Sequence, residues 1–417
     1  MSDVEIVHPV HVDEARSWLA NIATTFLEDP EGDNFDRYVE AFRREWGVVR
    51  SWGARAHGRW VATLATEPHM LTVPGPRGGT ADLAIDGLTA VTVNATHRRR
   101  GLLTQMLTEA LREAAERGDV MSALVAAEWP IYGRFGYAPA SLEAKYTYYP
   151  RRSGITPAAS GQVRQVDAAE LGAVAPQIFE RARAERAGQI DRHGEWWPRR
   201  LGLDGYRPFR SGKAPNLYLH ESDDGPDGLL CWSAERDFDI DGQLGSISVS
   251  ELVAASDTAY RNLWAYLGGI DVIDEVTLPH RPVDEPVRWL LPDGRALRQT
   301  YAGDSLWLRI LDVPRSLAAR TYATPGRLVL DVVDDTGGYA TGCYLLEADD
   351  SGSSCERTSL EPDLELSQRA LAGVYLGGFS LRQLRIAGHV RESRAGALDQ
   401  ADVMFGAVPA PWNATNF

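Results

Sequence analysis

Between residues 88 and 117 the sequence leaves little structural choice. Leu88-Thr89-Ala90-Val91-Thr92-Val93 is a short apolar run with β-branched residues, and a basic turn, Asn94-Ala95-Thr96-His97-Arg98-Arg99-Arg100-Gly101, follows it. From Leu102 the apolar positions Leu103, Met106, Leu107, Ala110, Leu111 and Ala114 recur at three- and four-residue steps, which predicts a helix with one buried face. The first turn of such a helix leaves backbone N–H groups without partners at its positive end, where an anion can bind. Gly101 allows close backbone approach, and the arginines add charge-assisted donors. Taken alone, the turn is equally compatible with a solvated loop or a patch for another acidic partner.

Downstream, residues 121–126 form a second short apolar run, and Ile131-Tyr132-Gly133-Arg134-Phe135-Gly136-Tyr137 follows it. Strand, basic glycine turn, helix and strand make an α/β layer with an anion site at the turn. Acyl transfer from a thioester to an amine needs a polarised carbonyl, a base for the ammonium and a proton for the thiolate. Tyr132 is placed to supply that proton, although a tyrosine in an aromatic-glycine turn also serves packing.

The chain has 417 residues, too many for one ordinary core. Composition divides it near 150 and 293. Residues 1–150 hold the α/β layer, with a further strand at 59–67, and residues 151–162 read as a linker. Residues 151–293 repeat the pattern, with a helix at 168–187, strands near 217–220, 229–235 and 246–252, a helix near 258–267 and a strand at 272–278. Residues 294–417 alternate apolar and polar positions at 306–311 and 327–334, with helices expected at 367–376 and 394–404. The formal net charge of −15 argues against a nucleic-acid partner. It suits a cationic substrate, and equally an acidic surface that maintains solubility. Three cysteines without paired spacing argue against a structural metal and fit a reducing cytoplasm. The first residues lack the pattern of a secretory signal, and no stretch approaches the length of an apolar membrane span.

The signature Val91-Thr92-Val93, Thr96-His97-Arg98-Arg99-Arg100-Gly101-Leu102-Leu103 and Ile131-Tyr132-Gly133-Arg134-Phe135-Gly136-Tyr137 resembles the GCN5-related N-acetyltransferases (GNAT), and more closely the enhanced intracellular survival (Eis) acetyltransferases. Ser305-Leu306-Trp307-Leu308-Arg309-Ile310 and Tyr375-Leu376-Gly377-Gly378 extend the resemblance over the whole chain. It implies an α/β (α+β) fold of two tandem GNAT domains, 1–150 with the cofactor site and 151–293 degenerate. A sterol carrier protein-like domain, 294–417, would follow. It implies acetyl-CoA as co-substrate, with no metal, and a homohexamer that acts on small-molecule amines. Aminoglycoside-like antibiotics, polyamines and lysine side chains are the acceptor classes.

Carried over residue by residue, the resemblance sets the acetyl thioester and pantetheine along Val91, Thr92 and Val93. The pyrophosphate falls to Arg99, Arg100, Gly101, Leu102, Leu103 and Thr104, and Ala127 and Glu128 line the pantetheine. Tyr132 becomes the general acid, and the terminal carboxylate of Phe417 the base. Asn416 stands where relatives can carry an acidic residue that lines the substrate pocket, so Glu28 and Asp29, in the loop after Phe26, are the expected acidic walls. A different class of function, an acyl-CoA or lipid-binding sensor without turnover, would need neither Tyr132 nor a terminal carboxylate.

Overall fold

In the computed structural model, which describes residues 4–76, 79–203, 205, 215–238 and 244–417, three sheets carry the chain. The first has the order Val4–Val7, Arg50–Ala56, Arg59–Pro74, Thr80–Val93, Met121–Val125, Leu306–Ile310 and Ala138–Pro139. Its neighbours are antiparallel except Thr80–Val93 and Met121–Val125, which are parallel and joined by the helix Leu102–Arg117. That helix has the predicted bounds and buries Leu102 together with the six apolar positions expected from the spacing. They pack on Trp52, Ala54, Ala62, Leu64, Leu88 and Leu124 of the sheet.

The second sheet repeats the plan in a different sequence. Gly245–Ala254 and Ile273–Arg281 are its parallel pair, with the helix Asp257–Gly268 between them, so the repeat inferred from pattern is a repeat of topology. The third sheet, Gly352–Arg357, Gly342–Asp349, Gly326–Val333, Leu364–Ser367 and Val390–Glu392, lies within the last region.

Sheet membership does not follow the boundaries drawn at 150 and 293. Leu142–Tyr148 sits in the second sheet, between Leu297–Asp304 and Ile273–Arg281. Leu306–Ile310, assigned from sequence to the third region, enters the first sheet beside Met121–Val125, in register from Leu306↔Val125 to Ile310↔Met121. Backbone pairing explains both, because each strand is hydrogen-bonded on both sides within the sheet it joins. Arg309, fully buried on that inserted strand, is paired at 2.8 Å with the equally buried Asp334 of the third region. Composition marks neither exchange, since a strand's partner is not written in its own residues.

Candidate active site

The parallel strands of the first sheet pair only at Asp86↔Ser122 and Gly87↔Ala123, and beyond these residues their ends diverge. A bulge accompanies the divergence: the register with Arg59–Pro74 shifts between Thr63 and Ala65, opposite Ala90, which is left-handed at φ 53°. Leu88, Thr89, Ala90 and Val91 line the resulting cavity from one strand, and Val125, Ala126 and Ala127 from the other. Of the expected thioester residues, Val91 therefore faces the cavity. Thr92 is buried instead, with its hydroxyl bonded to Thr63 and Asn21, and Val93 packs on the core.

The basic turn closes the far end of the strand. Gly101, at φ 78°, is the N-cap of Leu102–Arg117 and supplies no side chain to its first turn. Arg98, Arg99, Arg100, Gly101 and Thr104 are exposed, so backbone N–H groups and guanidiniums are accessible together. Leu102 and Leu103 are buried, which leaves only their backbone for an anion. Arg98 also reaches Glu128 at 3.7 Å, across the mouth between turn and second strand. In the second unit the corresponding helix is closed by its own side chains. Ser256 caps Ala259 N–H at 3.0 Å and donates to Asp227 at 2.6 Å. A capped helix with an acid against its start does not attract phosphate.

Tyr132 ends the short helix Trp129–Tyr132 and lines the cavity. It packs edge-on to Tyr137, at 6.1 Å between rings, and Tyr137 is held by a 2.7 Å hydrogen bond to Ser122. Burial, reinforced by the nearby Glu128 charge, pushes the Tyr132 phenol up to about 12, so it stays protonated at neutral pH. Among the described residues its hydroxyl meets no hydrogen-bond partner.

The C-terminus reaches the same cavity along a track provided by the second region. Ala410 N–H donates to Asp284 and its carbonyl accepts from Arg186; Trp412 N–H then donates to Ala187, at 3.1 Å. Ala414 is held between Gln189 at 3.1 Å and Arg192 at 2.9 Å, and the Thr415 hydroxyl donates to Ile190 at 2.9 Å. Residues 188–191 in turn bond to Met70 and Thr72 of the first sheet. Phe417 ends in the cavity with its ring 4.7 Å from His69, and its carboxylate meets no donor among the described residues. Thus the structure brings Tyr132 and Phe417 together.

His69 was not singled out from sequence. Its Nδ1 lies 3.0 Å from Asp191 and its Nε2 3.3 Å from Glu67. Burial pulls its pKa down, but hydrogen bonds and attraction from Asp191 and Glu67 outweigh this and raise it to about 9. Both carboxyls are held below their ordinary values despite burial, chiefly by His69. Ligating atoms of His69, Asp191 and His193 fall within 4.8 Å of one another, a spacing that could hold a metal ion. With both ring nitrogens facing carboxylates, the imidazolium is itself a cation within this cluster, which keeps one net negative charge. The histidine–acid pairs Glu67-Pro68-His69 and Asp191-Arg192-His193 were visible in the sequence, but nothing in it indicated that they meet.

Glu28 and Asp29 do not line the cavity; both are exposed in the loop after the helix Ala15–Thr25. The acidic lining comes from Glu45, Glu67, Asp191 and Glu251, around a cavity of about 680 Å³. The correction has a simple cause. The loop turns its tip to water, while Leu19 and Ile22 from the first helix, its C-cap Phe26, and Tyr38, Phe42 and Glu45 from Gly32–Glu45 form the wall.

Comparison with known proteins agrees with this geometry. Residues 7–140 match an acetyltransferase (GNAT) domain, 188–310 a second acetyltransferase (GNAT) domain and 313–414 a sterol carrier protein domain. An uncharacterized N-acetyltransferase of Streptomyces griseus is 37% identical over 98% of each chain. N-acetyltransferase Eis of Mycobacterium tuberculosis is 33% identical over 80% of each chain. The crystal structure of Eis1 from Mycobacterium abscessus superposes with a TM-score of 0.82 at 30% identity, covering 99% of this chain and 100% of that one.

The chain belongs to the Eis family of N-acetyltransferases.

As in the fold implied by that resemblance, two GNAT domains precede a sterol carrier protein-like domain. A GCN5-related N-acetyltransferase from Anabaena variabilis shares the fold at a TM-score of 0.81 and 21% identity, over 99% of this chain and 100% of its own. Among the described residues no helix is long and apolar enough to cross a membrane. Within this Eis-family enzyme, the open helix start and the splayed strands occur in the first GNAT domain, whereas the second supplies the track for the tail.

Proposed function

We propose that this enzyme transfers an acetyl group from acetyl-CoA to a primary amine, with Tyr132 and the Phe417 carboxylate in the reacting cavity. The observation that carries this reading is that both, far apart in the chain, line the cavity opened by the splayed strands. The pyrophosphate is assigned to Arg99, Arg100 and the N–H groups of Gly101 to Thr104. The pantetheine is assigned to the gap between Thr89–Val91 and Val125–Ala127, with Glu128 at its mouth.

The acceptor arrives as an ammonium, and an unpartnered carboxylate orients it. An α-carboxyl, with an ordinary pKa of about 3.5, is a weak base for a free ammonium. The nucleophile is therefore the fraction of amine that has lost one proton to water, and the carboxylate is an adequate base for the second proton, once the carbon–nitrogen bond has made the nitrogen acidic. Collapse of the tetrahedral species expels the thiolate. A coenzyme thiol, near ~8.5, is a better acid than Tyr132 at about 12, so Tyr132 acts mainly as a hydrogen-bond donor to the departing sulfur.

Aminoglycosides, polyamines and lysine side chains are the acceptor classes that the family resemblance supplies. A homohexamer in a reducing cytoplasm is part of the same reading, supported by the free thiols of Cys231, Cys343 and Cys355 and by exposed apolar side chains such as Leu27 and Trp289. Sedimentation tests the assembly. The function itself is tested by release of free thiol from acetyl-CoA, expected with primary amines and not with tertiary ones. A protein that binds acetyl-CoA yet releases no thiol with any primary amine is the binding sensor instead.

A further inference from the structure

The acceptor side of the cavity differs from an acidic cup. Glu45 accepts from Arg199 at 2.8 Å and from Glu195 N–H at 2.9 Å. Glu251 is held between Arg192 at 3.0 Å and Arg200 at 2.9 Å, so that wall carries more positive than negative charge. Glu67 and Asp191 share the single charge of His69, and the net negative charge they keep offsets the net positive charge of the Glu251 wall. The Phe417 carboxylate, unlike these four, has no cation beside it among the described residues.

Three aromatic rings of the lining are also engaged. Aromatic rings bind ammonium groups through their faces. Here Arg199 lies over Tyr38 at 5.7 Å, Arg192 over Trp196 at 3.9 Å and Arg281 over Trp412 at 5.3 Å. Each ring therefore already carries one of the protein's own guanidiniums. Phe26 and Phe42, with Leu19 and Ile22 beside them, add apolar surface. A second or third ammonium would have to displace a guanidinium or remain unpaired in a partly dry cavity, either of which is costly. An apolar body loses nothing there and gains from burial.

We infer that the acceptor is a primary amine with a single ammonium and an aromatic or branched apolar body, and that multiply charged amines are poor substrates. This rests on the acetyl-transfer reading above and narrows it. The reaction is unchanged: the ammonium gives up one proton to water, the freed amine nitrogen bonds to the acetyl carbon and loses its second proton to the Phe417 carboxylate, the carbon–sulfur bond breaks, and the departing thiolate takes a proton from solvent to leave as the thiol.

The test compares thiol release from acetyl-CoA with 2-phenylethylamine, spermidine and kanamycin at one pH. Phenylethylamine should exceed both spermidine and kanamycin in kcat/KM by at least about tenfold. Arg199→Gln, which removes the cation held by Glu45, should raise spermidine use relative to phenylethylamine about fivefold. Spermidine or kanamycin equal to or better than phenylethylamine overturns the inference and leaves acetyl transfer standing. An Arg199→Gln enzyme with an unaltered ratio overturns the charge argument on which the inference depends. Thiol release with none of the amines tested, primary alkylamines included, overturns the acetyl-transfer reading and the inference with it.

Discussion

The Phe417 ring lies 4.7 Å from the His69 imidazole, inclined at 53°, over the backbone of Gly87. A Cβ on Gly87 would stand 2.5 Å from His69 Cδ2 and 3.1 Å from Phe417 Cε2. Gly87 is also one of the two residues at which the parallel strands still pair. The missing side chain thus makes room for the terminal residue where the strands begin to part. Gly87→Ala should displace the Phe417–His69 pair and lower kcat by about tenfold or more. The accompanying loss of stability should be about 1–3 kcal/mol, read by urea unfolding.

Removing Phe417 takes away the terminal carboxylate at its proper position while leaving the tail track from Ala410 to Thr415 intact. Turnover should fall by about two orders of magnitude, with acetyl-CoA affinity nearly unchanged. Residues appended after Phe417 should have the same effect. A C-terminally extended enzyme with full activity would exclude the terminal carboxylate as base.

His69 links this site to pH. Its pKa is raised from 6.5 to about 9 in the folded protein, so the folded state binds its proton more tightly than the unfolded chain. The stabilisation is complete below pH ~6.5 and disappears as pH rises through about 9. Its ceiling is on the order of 3 kcal/mol. Wild type and His69→Gln should therefore differ most in unfolding free energy near pH 6 and converge above pH ~9, as measured by denaturant titration across that range. A difference independent of pH would assign His69 a packing role only.

Tyr132→Phe keeps the ring on Tyr137 and deletes the hydroxyl. The expected result is a kcat reduced about 10- to 100-fold, with the acetyl-CoA dissociation constant within about twofold of wild type. A large loss of acetyl-CoA binding, followed calorimetrically, would make Tyr132 a packing residue.

Arg309 and Asp334 join the strand inserted in the first sheet to the third region, both without solvent exposure. Burial opposes ionisation of Asp334, yet the Arg309 hydrogen bond and charge hold its carboxyl below the usual range. Arg309→Met should leave that carboxylate uncompensated and cost about 3–5 kcal/mol. Arg309→Met combined with Asp334→Leu should recover much of the loss, because no charge then remains buried. Thermal unfolding of the three proteins distinguishes the outcomes.

Local order gave the strand, basic turn and helix of residues 88–117 directly. Periodicity there is dense, the turn residues are unambiguous, and the helix Leu102–Arg117 appears with the expected bounds. The repeat in the second region was legible for the same reason. The helices Ala15–Thr25 and Gly32–Glu45 were not read, although they form a wall of the cavity. Glu28 and Asp29 were chosen by charge and neighbourhood along the chain, and neither quantity says which face of a loop meets a cavity.

By itself, then, the sequence determined the basic turn, the helix after it and the family, and it singled out Tyr132 and Phe417 for test, because these depend on residue type at short spacing. Only the tertiary structure decided that Leu306–Ile310 belongs to the first sheet, that residues 186–192 carry the tail, and that His69, Asp191 and Phe417 share one wall. It also decided that Glu45, Glu67, Asp191 and Glu251 in the cavity lining already face arginines or a histidine. The physical reason is range. Backbone pairing and ion pairing are set by what folding brings within a few ångströms, and residues far apart in the chain carry no local mark of the partner they will meet.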